Sequence, residues 1–317
     1  MEKHITFLSL FFLSFLKGQS ISSLSELSEN FSVNTDKVPV KEKVLTQEQA
    51  LFRYASPGSP ISRLNLKDLH YVQKITCAGG GVDIVQDSQG QKYTLKFNND
   101  KESWISSIPI LRYFTRFSKK LAREIVADAV YKSIGLCVPD FVVYQELPKE
   151  LRDIKELKNK KGMVRIAQFI SSRAIPLHQK KEILQKKLQE NFAVFLTFMS
   201  GDLHPGNFII DEKQEEPWFI DNNWFLKASF FLRYDNLFPD IEKDIQRLKH
   251  ENDIFENLEL PEIKRQVRDL LKKEKKIMAM FEKVSRKVDL PNRFSYLLRL
   301  KKRFKALHRF VEDSEKT

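Results

Sequence analysis

The amino-acid sequence predicts an α+β fold in two lobes, a small antiparallel β-sheet lobe carrying one helix and a larger, mostly helical lobe. Three observations carry that expectation. Up to about residue 170 the chain alternates apolar and polar side chains in short β-favouring runs, whereas beyond it apolar residues recur at three-or-four spacing. Gly79-Gly80-Gly81 and the turn Asp87-Ser88-Gln89-Gly90 punctuate the first stretch as breaks between strands. With 317 residues, 42% of them hydrophobic, the chain can bury a substantial core.

In chain order, residues 5–16 (ITFLSLFFLSFL) are an uncharged run of twelve between Lys3 and Lys17, followed by Gly18-Gln19-Ser20. The run fits the h-region of a signal peptide and falls short of the roughly 20 apolar residues of a spanning helix. Residues 1–20 are therefore expected to export the protein; an amphipathic helix on a cytoplasmic protein and a retained membrane anchor are the alternatives. Residues 21–62, rich in Ser, Glu, Asn, Lys and Pro and closing on SPGSP, read as a partly disordered linker. The N-terminal lobe is then expected over 63–170 and the catalytic, mostly helical lobe over 171–317.

Tyr71–Cys77 alternates as a strand, Gly79-Gly80-Gly81 breaks it, and Val82–Gln86 resumes before Asp87-Ser88-Gln89-Gly90 turns the chain into a third strand, Lys92–Phe97. Leu111, Phe114, Phe117, Leu121, Ile125, Ala129 and Ile134 mark one face of a helix over 111–134, stopped by Gly135. Strands are expected at Phe141–Leu147 and Met163–Ile170, on either side of a charged insertion at 148–162. Beyond them the pattern predicts helices at about 179–199, 240–250, 261–287 and 292–312, with two short strands around the acidic residues near 202–221.

Lysine and arginine outnumber aspartate and glutamate by 54 to 42, a net charge of +12 that suits phosphates, acidic proteins or anionic membrane surfaces. The cations are interleaved with glutamates in helical stretches, the pattern of a solvated helix face, so nucleic acid gains no support as a partner. Leu111–Lys120 mixes basic and aromatic residues and leaves peripheral contact with an anionic membrane open. Cys77 and Cys137 are too far apart for a CxxC motif and read as small buried residues, with a single bridge between them open if the protein is exported.

The densest chemical signal is Gly201-Asp202-Leu203-His204-Pro205-Gly206-Asn207, followed by the apolar run Phe208–Ile210 and then Trp218-Phe219-Ile220-Asp221. Phosphoryl transfer from ATP needs a carboxylate at the acceptor hydroxyl and oxygen ligands for the Mg²⁺ that bridges the phosphates. Asp202 precedes Asn207 by the spacing of HRDxxxxN, and Asp221 closes a second apolar strand. One such Asp alone would be turn chemistry; three at these positions are a site. In it Asp202 is the catalytic base, Asn207 and Asp221 are the metal ligands, and His204 shapes the loop.

GDLHPGN followed by FID resembles the aminoglycoside phosphotransferase and choline kinase branch of the protein-kinase-like superfamily, with Ser200 where that branch has His. Ala122–Gly135 together with Val138-Pro139 resembles the HipA-type and actin-fragmin-type atypical kinases. The two resemblances cover about residues 70–225. They imply a bilobal protein-kinase-like fold in which Lys96, on the third strand, reaches the α- and β-phosphates and Glu124, on the following helix, pairs with it. They also imply that Gly79, Gly80 and Gly81 cover the phosphates and that Gln168 to Ile170 form the hinge that binds the adenine ring. Read by themselves, Lys96 is a solvent-facing lysine, Glu124 and Asp128 an exposed helical pair, and the glycines a plain turn.

The expectation is an ATP- and Mg²⁺-dependent phosphotransferase acting on a hydroxyl of a protein or small molecule. A pseudokinase scaffold that binds nucleotide and nucleotidyl transfer to protein by the same site are the alternatives. Export and ATP dependence together point to a secretory lumen or to delivery into another cell.

Overall fold

A computed structural model describes residues 50–77, 80–98, 120–172, 177–198, 203, 205–211, 216–220 and 239–313. The expected signal peptide, most of the expected linker and the aromatic-basic stretch 111–119 lie outside the described residues.

Strands β1 (Phe52–Tyr54), β2 (His70–Cys77), β3 (Gly80–Gln86), β4 (Lys92–Phe97), β5 (Phe141–Tyr144) and β6 (Val164–Gln168) form one sheet in the order β1-β5-β6-β4-β3-β2, with every neighbouring pair antiparallel. The β3–β4 turn is set by Asp87, whose carboxylate accepts the Gln89 and Gln91 N–H groups at 3.0 and 2.9 Å, and by Gly90 at φ 84°. Helix α1 (Lys120–Ser133) lies between β4 and β5 in sequence, and Gly135 at φ 100° ends it in the left-handed conformation that a side chain would strain. β2 to β6 with one helix after the third of them, followed by a helical lobe, make this the bilobal, protein-kinase-like α+β fold expected from the sequence.

β1 lies inside the stretch 21–62 read as linker and moves the start of the sheet lobe upstream of Arg63. Phe52 is buried and pairs with Val143, the Ser56 N–H and hydroxyl bond the Asp140 carboxylate at 2.8 and 3.3 Å, and Ile61 is fully buried. A few apolar side chains in a polar stretch are enough when a sheet edge is waiting for them.

Period-2 alternation gives the sheet two dry faces. Tyr93, Leu95, Phe97, Val85, Val142, Val164 and Ile166 point outward, where Ile61, Leu69, Leu151 and Leu157 cover them. The charged insertion is therefore part of the core: it holds the short helix α2 (Lys149–Arg152), and its Lys160 reaches the buried Asp83 carboxylate at 3.0 Å. On the inner face Phe141, Val143 and Ala167 meet α1, and the same cluster runs on into the helical lobe.

That lobe contains α3 (Leu177–Glu190), α4 (Phe192–Phe198), α5 (Ile241–Glu251), α6 (Leu260–Leu271), α7 (Glu274–Lys287), α8 (Arg293–Glu312) and a ladder of β7 (Phe208–Ile210) with β8 (Pro217–Phe219). Two of the expected helices are each divided. Asn191 separates α3 from α4 by donating its side-chain amide to the Lys187 carbonyl at 2.9 Å, which satisfies a group the helix would otherwise use. The chain breaks again at Lys272–Lys273 because α6 packs on α4 while α7 packs on α1, with α8 against both, two directions one straight helix cannot serve. Among the described residues no helix is long and apolar enough to cross a membrane.

Candidate active site

α1 is buried nearly all round, since the sheet, α7 and the lobe below each cover one side, and Arg123, Glu124 and Asp128 are buried with it. Buried charges must be compensated. Glu124 meets the Lys96 ammonium, Nζ to Oε1, at 2.7 Å, with side-chain exposures of 5% and 23%. The alternation of β4 sends Tyr93, Leu95 and Phe97 outward and leaves Thr94 and Lys96 on the inner face, toward the helix.

Arg165 of β6 is the residue directly opposite Lys96 in the sheet register. Two cations side by side on one face repel each other. The helix answers with two carboxylates one turn apart: the Arg165 guanidinium pairs closely with Asp128 and stands 3.5 Å from Glu124 Oε1, the same oxygen that binds Lys96. Its carbon lies 4.9 Å from the Phe141 ring centroid, a cation–π contact with β5. Sequence reasoning left Arg165 out and placed Asp128 on an exposed face. The available signal was an arginine inside the apolar run Val164–Ala167 and two carboxylates at i, i+4 in a helix otherwise apolar on that side.

Of the three loop glycines, Gly79 lies outside the described residues, while Gly80 and Gly81 open β3 opposite Cys77 and Thr76. A Cβ at Gly81 would run into the end of the Lys74 side chain, which can swing away. Val82 and Ile75 pair across β2 and β3 on the same face as Lys96, and Ile75 is 42% exposed there, an apolar surface that the sequence reading had not assigned. Gln168 ends β6 and donates its N–H to the Asp140 carbonyl at 2.8 Å, and Phe169 donates to Lys92 at 3.2 Å. The Gln168 N–H is thus held within the sheet, and Ile170, next but one, is buried.

Asn207 ends a short 3₁₀ turn (Pro205–Asn207) and leads into β7. Its carbonyl accepts the Ile220 N–H at 2.9 Å, extending the Phe208–Phe219 register by one step. Asn207 and the residue just before Asp221 thus stand together at one end of the ladder. Asp202 and Asp221 themselves lie outside the described residues, and among the described residues no group of three His, Cys, Asp or Glu side chains could hold a metal. The ladder is tied to α1: the Phe219 N–H donates to the Cys137 carbonyl at 2.8 Å, and the Phe219 ring lies 6.4 Å from that of Tyr131. Glu124 and Tyr131 are about 10 Å apart along the helix at 1.5 Å per residue, so one rigid element links the lysine pair to the Asn207 ladder.

Beside that tie the Cys137 thiol is a free cysteine and donates to Glu216 at 2.7 Å. Burial, then the Glu216 hydrogen bond and charge, push the thiol up to about 11.

No family model matches the chain, and no curated protein sequence matches it. Among solved structures it is similar to a MAP kinase, LmaMPK10 from Leishmania major, at 11% identity and a TM-score of 0.29, covering 78% of this chain and 95% of that one. A likeness at that score carries no argument; the strand order and side-chain placement above are what describe the fold.

Proposed function

We propose that the chain is a Mg²⁺ATP-dependent phosphotransferase that moves a phosphoryl group to a hydroxyl acceptor. The observation that carries the reading is the Lys96–Glu124 pair at 2.7 Å, made between the third strand of the β2–β6 set and the helix that follows it. An ammonium tethered by a buried carboxylate on the inner face of the sheet is suited to a polyanion. Neighbouring residues suit the rest of a nucleotide: Ile75 and Val82 offer apolar surface on the same face, and Gly81, with no Cβ of its own, lies against the end of a Lys74 side chain that can swing aside for a phosphate.

Mg²⁺ATP, when bound, supplies the phosphoryl group and the charge that neutralises its oxygens. In this reading Asn207 and Asp221 hold the metal from the end of the β7–β8 ladder, supported by the Asn207–Ile220 backbone bond. Lys96 holds the α- and β-phosphates and Glu124 holds Lys96. Asp202 orients the acceptor hydroxyl and takes its proton. The Gln168 carbonyl and Ile170 line the edge where the base sits.

Calorimetric titration of the chain from residue 21 tests this. Mg²⁺ATP should bind to the wild type and bind about tenfold or more weakly to Lys96→Ala, the scale of a lost charge-assisted contact. Absence of Mg²⁺-dependent nucleotide binding in the folded wild type would overturn the reading.

A further inference from the structure

Lys96 and Arg165 compete for one oxygen. They face each other across β4 and β6, and Glu124 Oε1 stands 2.7 Å from the Lys96 ammonium and 3.5 Å from the Arg165 guanidinium. Arginine, with its planar fork of donors, is the stronger partner for a buried carboxylate. What tips the balance toward lysine is Asp128, one helical turn beyond Glu124 and 1% exposed, which engages the other arm of Arg165 at closer range. We propose that Asp128 is a positioning residue for the Lys96–Glu124 pair: by holding Arg165, it keeps the second cation of the face from taking the carboxylate that Lys96 requires.

The arrangement explains why the apolar run Val164–Ala167 carries an arginine whose side chain is 6% exposed. Arg165 and Asp128 pin α1 to β6, and the pin fixes the height at which Glu124 meets β4. Neutralising Asp128 has a consequence that removing an ordinary packing residue would not have. Arg165 loses its nearer anion, turns to Glu124, and leaves Lys96 less well held. Deleting the Arg165 charge as well then relieves the competition, so the double variant is milder than the single one.

The consequence for nucleotide affinity rests on the phosphotransferase reading, whereas the state of Lys96 does not, and the experiment reads both. Each protein is trace-acetylated at one pH, and the rates at Lys96 and Lys132 are measured by peptide mass spectrometry. Lys132 lies on the same helix but is paired with Asp140, so it reports general loosening of α1. Asp128→Asn should acetylate at Lys96 about tenfold faster than wild type, the scale of one charge-assisted hydrogen bond, with Lys132 unchanged. Asp128→Asn/Arg165→Met should return Lys96 to within about threefold of wild type, the non-additivity of a coupled pair. Mg²⁺ATP affinity should follow the same order. A double variant as reactive as the single one, or Lys96 and Lys132 rising together, would overturn the proposal. If Asp128→Asn does not fold, Asp128→Leu/Arg165→Met replaces the ion pair with apolar volume, and a Lys96 slow as in wild type is expected; a fast one overturns it. A wild type that ignores Mg²⁺ATP defeats the phosphotransferase reading, and the acetylation rates still decide the role of Asp128.

Discussion

Arg303→Met removes the side chain that joins three helices of the C-terminal lobe. Arg303 of α8 is 4% exposed; it donates Nε to the Leu196 carbonyl of α4 at 3.1 Å and Nη2 to the same oxygen, and it pairs with Asp244 of α5. Burial pushes the guanidinium below its ordinary value while Asp244 pulls it back, the mark of a charge retained at a desolvation cost. Methionine keeps most of the volume, so packing loss is small. What remains is an Asp244 carboxylate without its inner partner and a Leu196 carbonyl without a donor. Breaking a buried pair costs about 3–5 kcal/mol. Arg247, 3.3 Å from the other Asp244 oxygen, keeps part of that charge satisfied and places the expected loss near the lower end, at about 3 kcal/mol. At roughly 2–4 °C per kcal/mol, the melting temperature followed by circular dichroism should fall by about 10 °C. The double variant Arg303→Met/Asp244→Leu should recover much of the loss, since the buried carboxylate is gone and Arg247 keeps Glu251 at 4.0 Å. A single variant melting with the wild type would refute the reasoning.

The other expectations are more local. At pH 8 Cys137, with its thiol raised to about 11 by burial and Glu216, stays protonated and should react with iodoacetamide far more slowly than a free cysteine; Glu216→Gln should speed it, and fast alkylation of the folded wild type would contradict the assigned environment. A chain begun at Arg63 loses β1, the Ser56–Asp140 bonds and the buried Ile61, and should be less stable than a chain begun at Ala50, by about 2–5 kcal/mol for the Ile61 side chain alone, and so melt at a lower temperature; equal melting would return these residues to the linker. Asp221→Ala should abolish the Mg²⁺ dependence of nucleotide binding without changing the melting temperature, as expected for a ligand that matters only with the metal present.

The strands were legible because alternation and turn residues agree: Asp87 and Gly90 mark the β3–β4 hairpin in sequence and set it in space. α1 was legible from its apolar spacing and Gly135. Lys96 and Glu124 were found by their order along the chain, and the structure brings them to 2.7 Å. What stayed hidden depends on contacts between distant segments. Nothing local says that Leu151 and Leu157 of a charged insertion cover the outer face of the sheet, or that Phe52 finds Val143. Arg165 went unassigned and Asp128 read as part of an exposed helical pair, because each is explained by the other, across two elements far apart in sequence. The break at Lys272–Lys273 follows from which neighbours each helix half packs on, and the one at Asn191 from a side chain that takes a backbone acceptor; periodicity carries neither.

The central claim is chemical transfer, and its most direct test is phosphoryl transfer from γ-labelled Mg²⁺ATP by the chain from residue 21, offered protein and small hydroxyl acceptors, with wild type and Asp202→Asn in parallel. The amide preserves shape and much of the hydrogen bonding, so Asp202→Asn should bind Mg²⁺ATP nearly as the wild type does and turn over about 10²-fold or more slowly, the scale of a positioned base. Transfer undiminished in Asp202→Asn, or a wild type that binds nucleotide and passes no phosphate to any acceptor, would contradict the account.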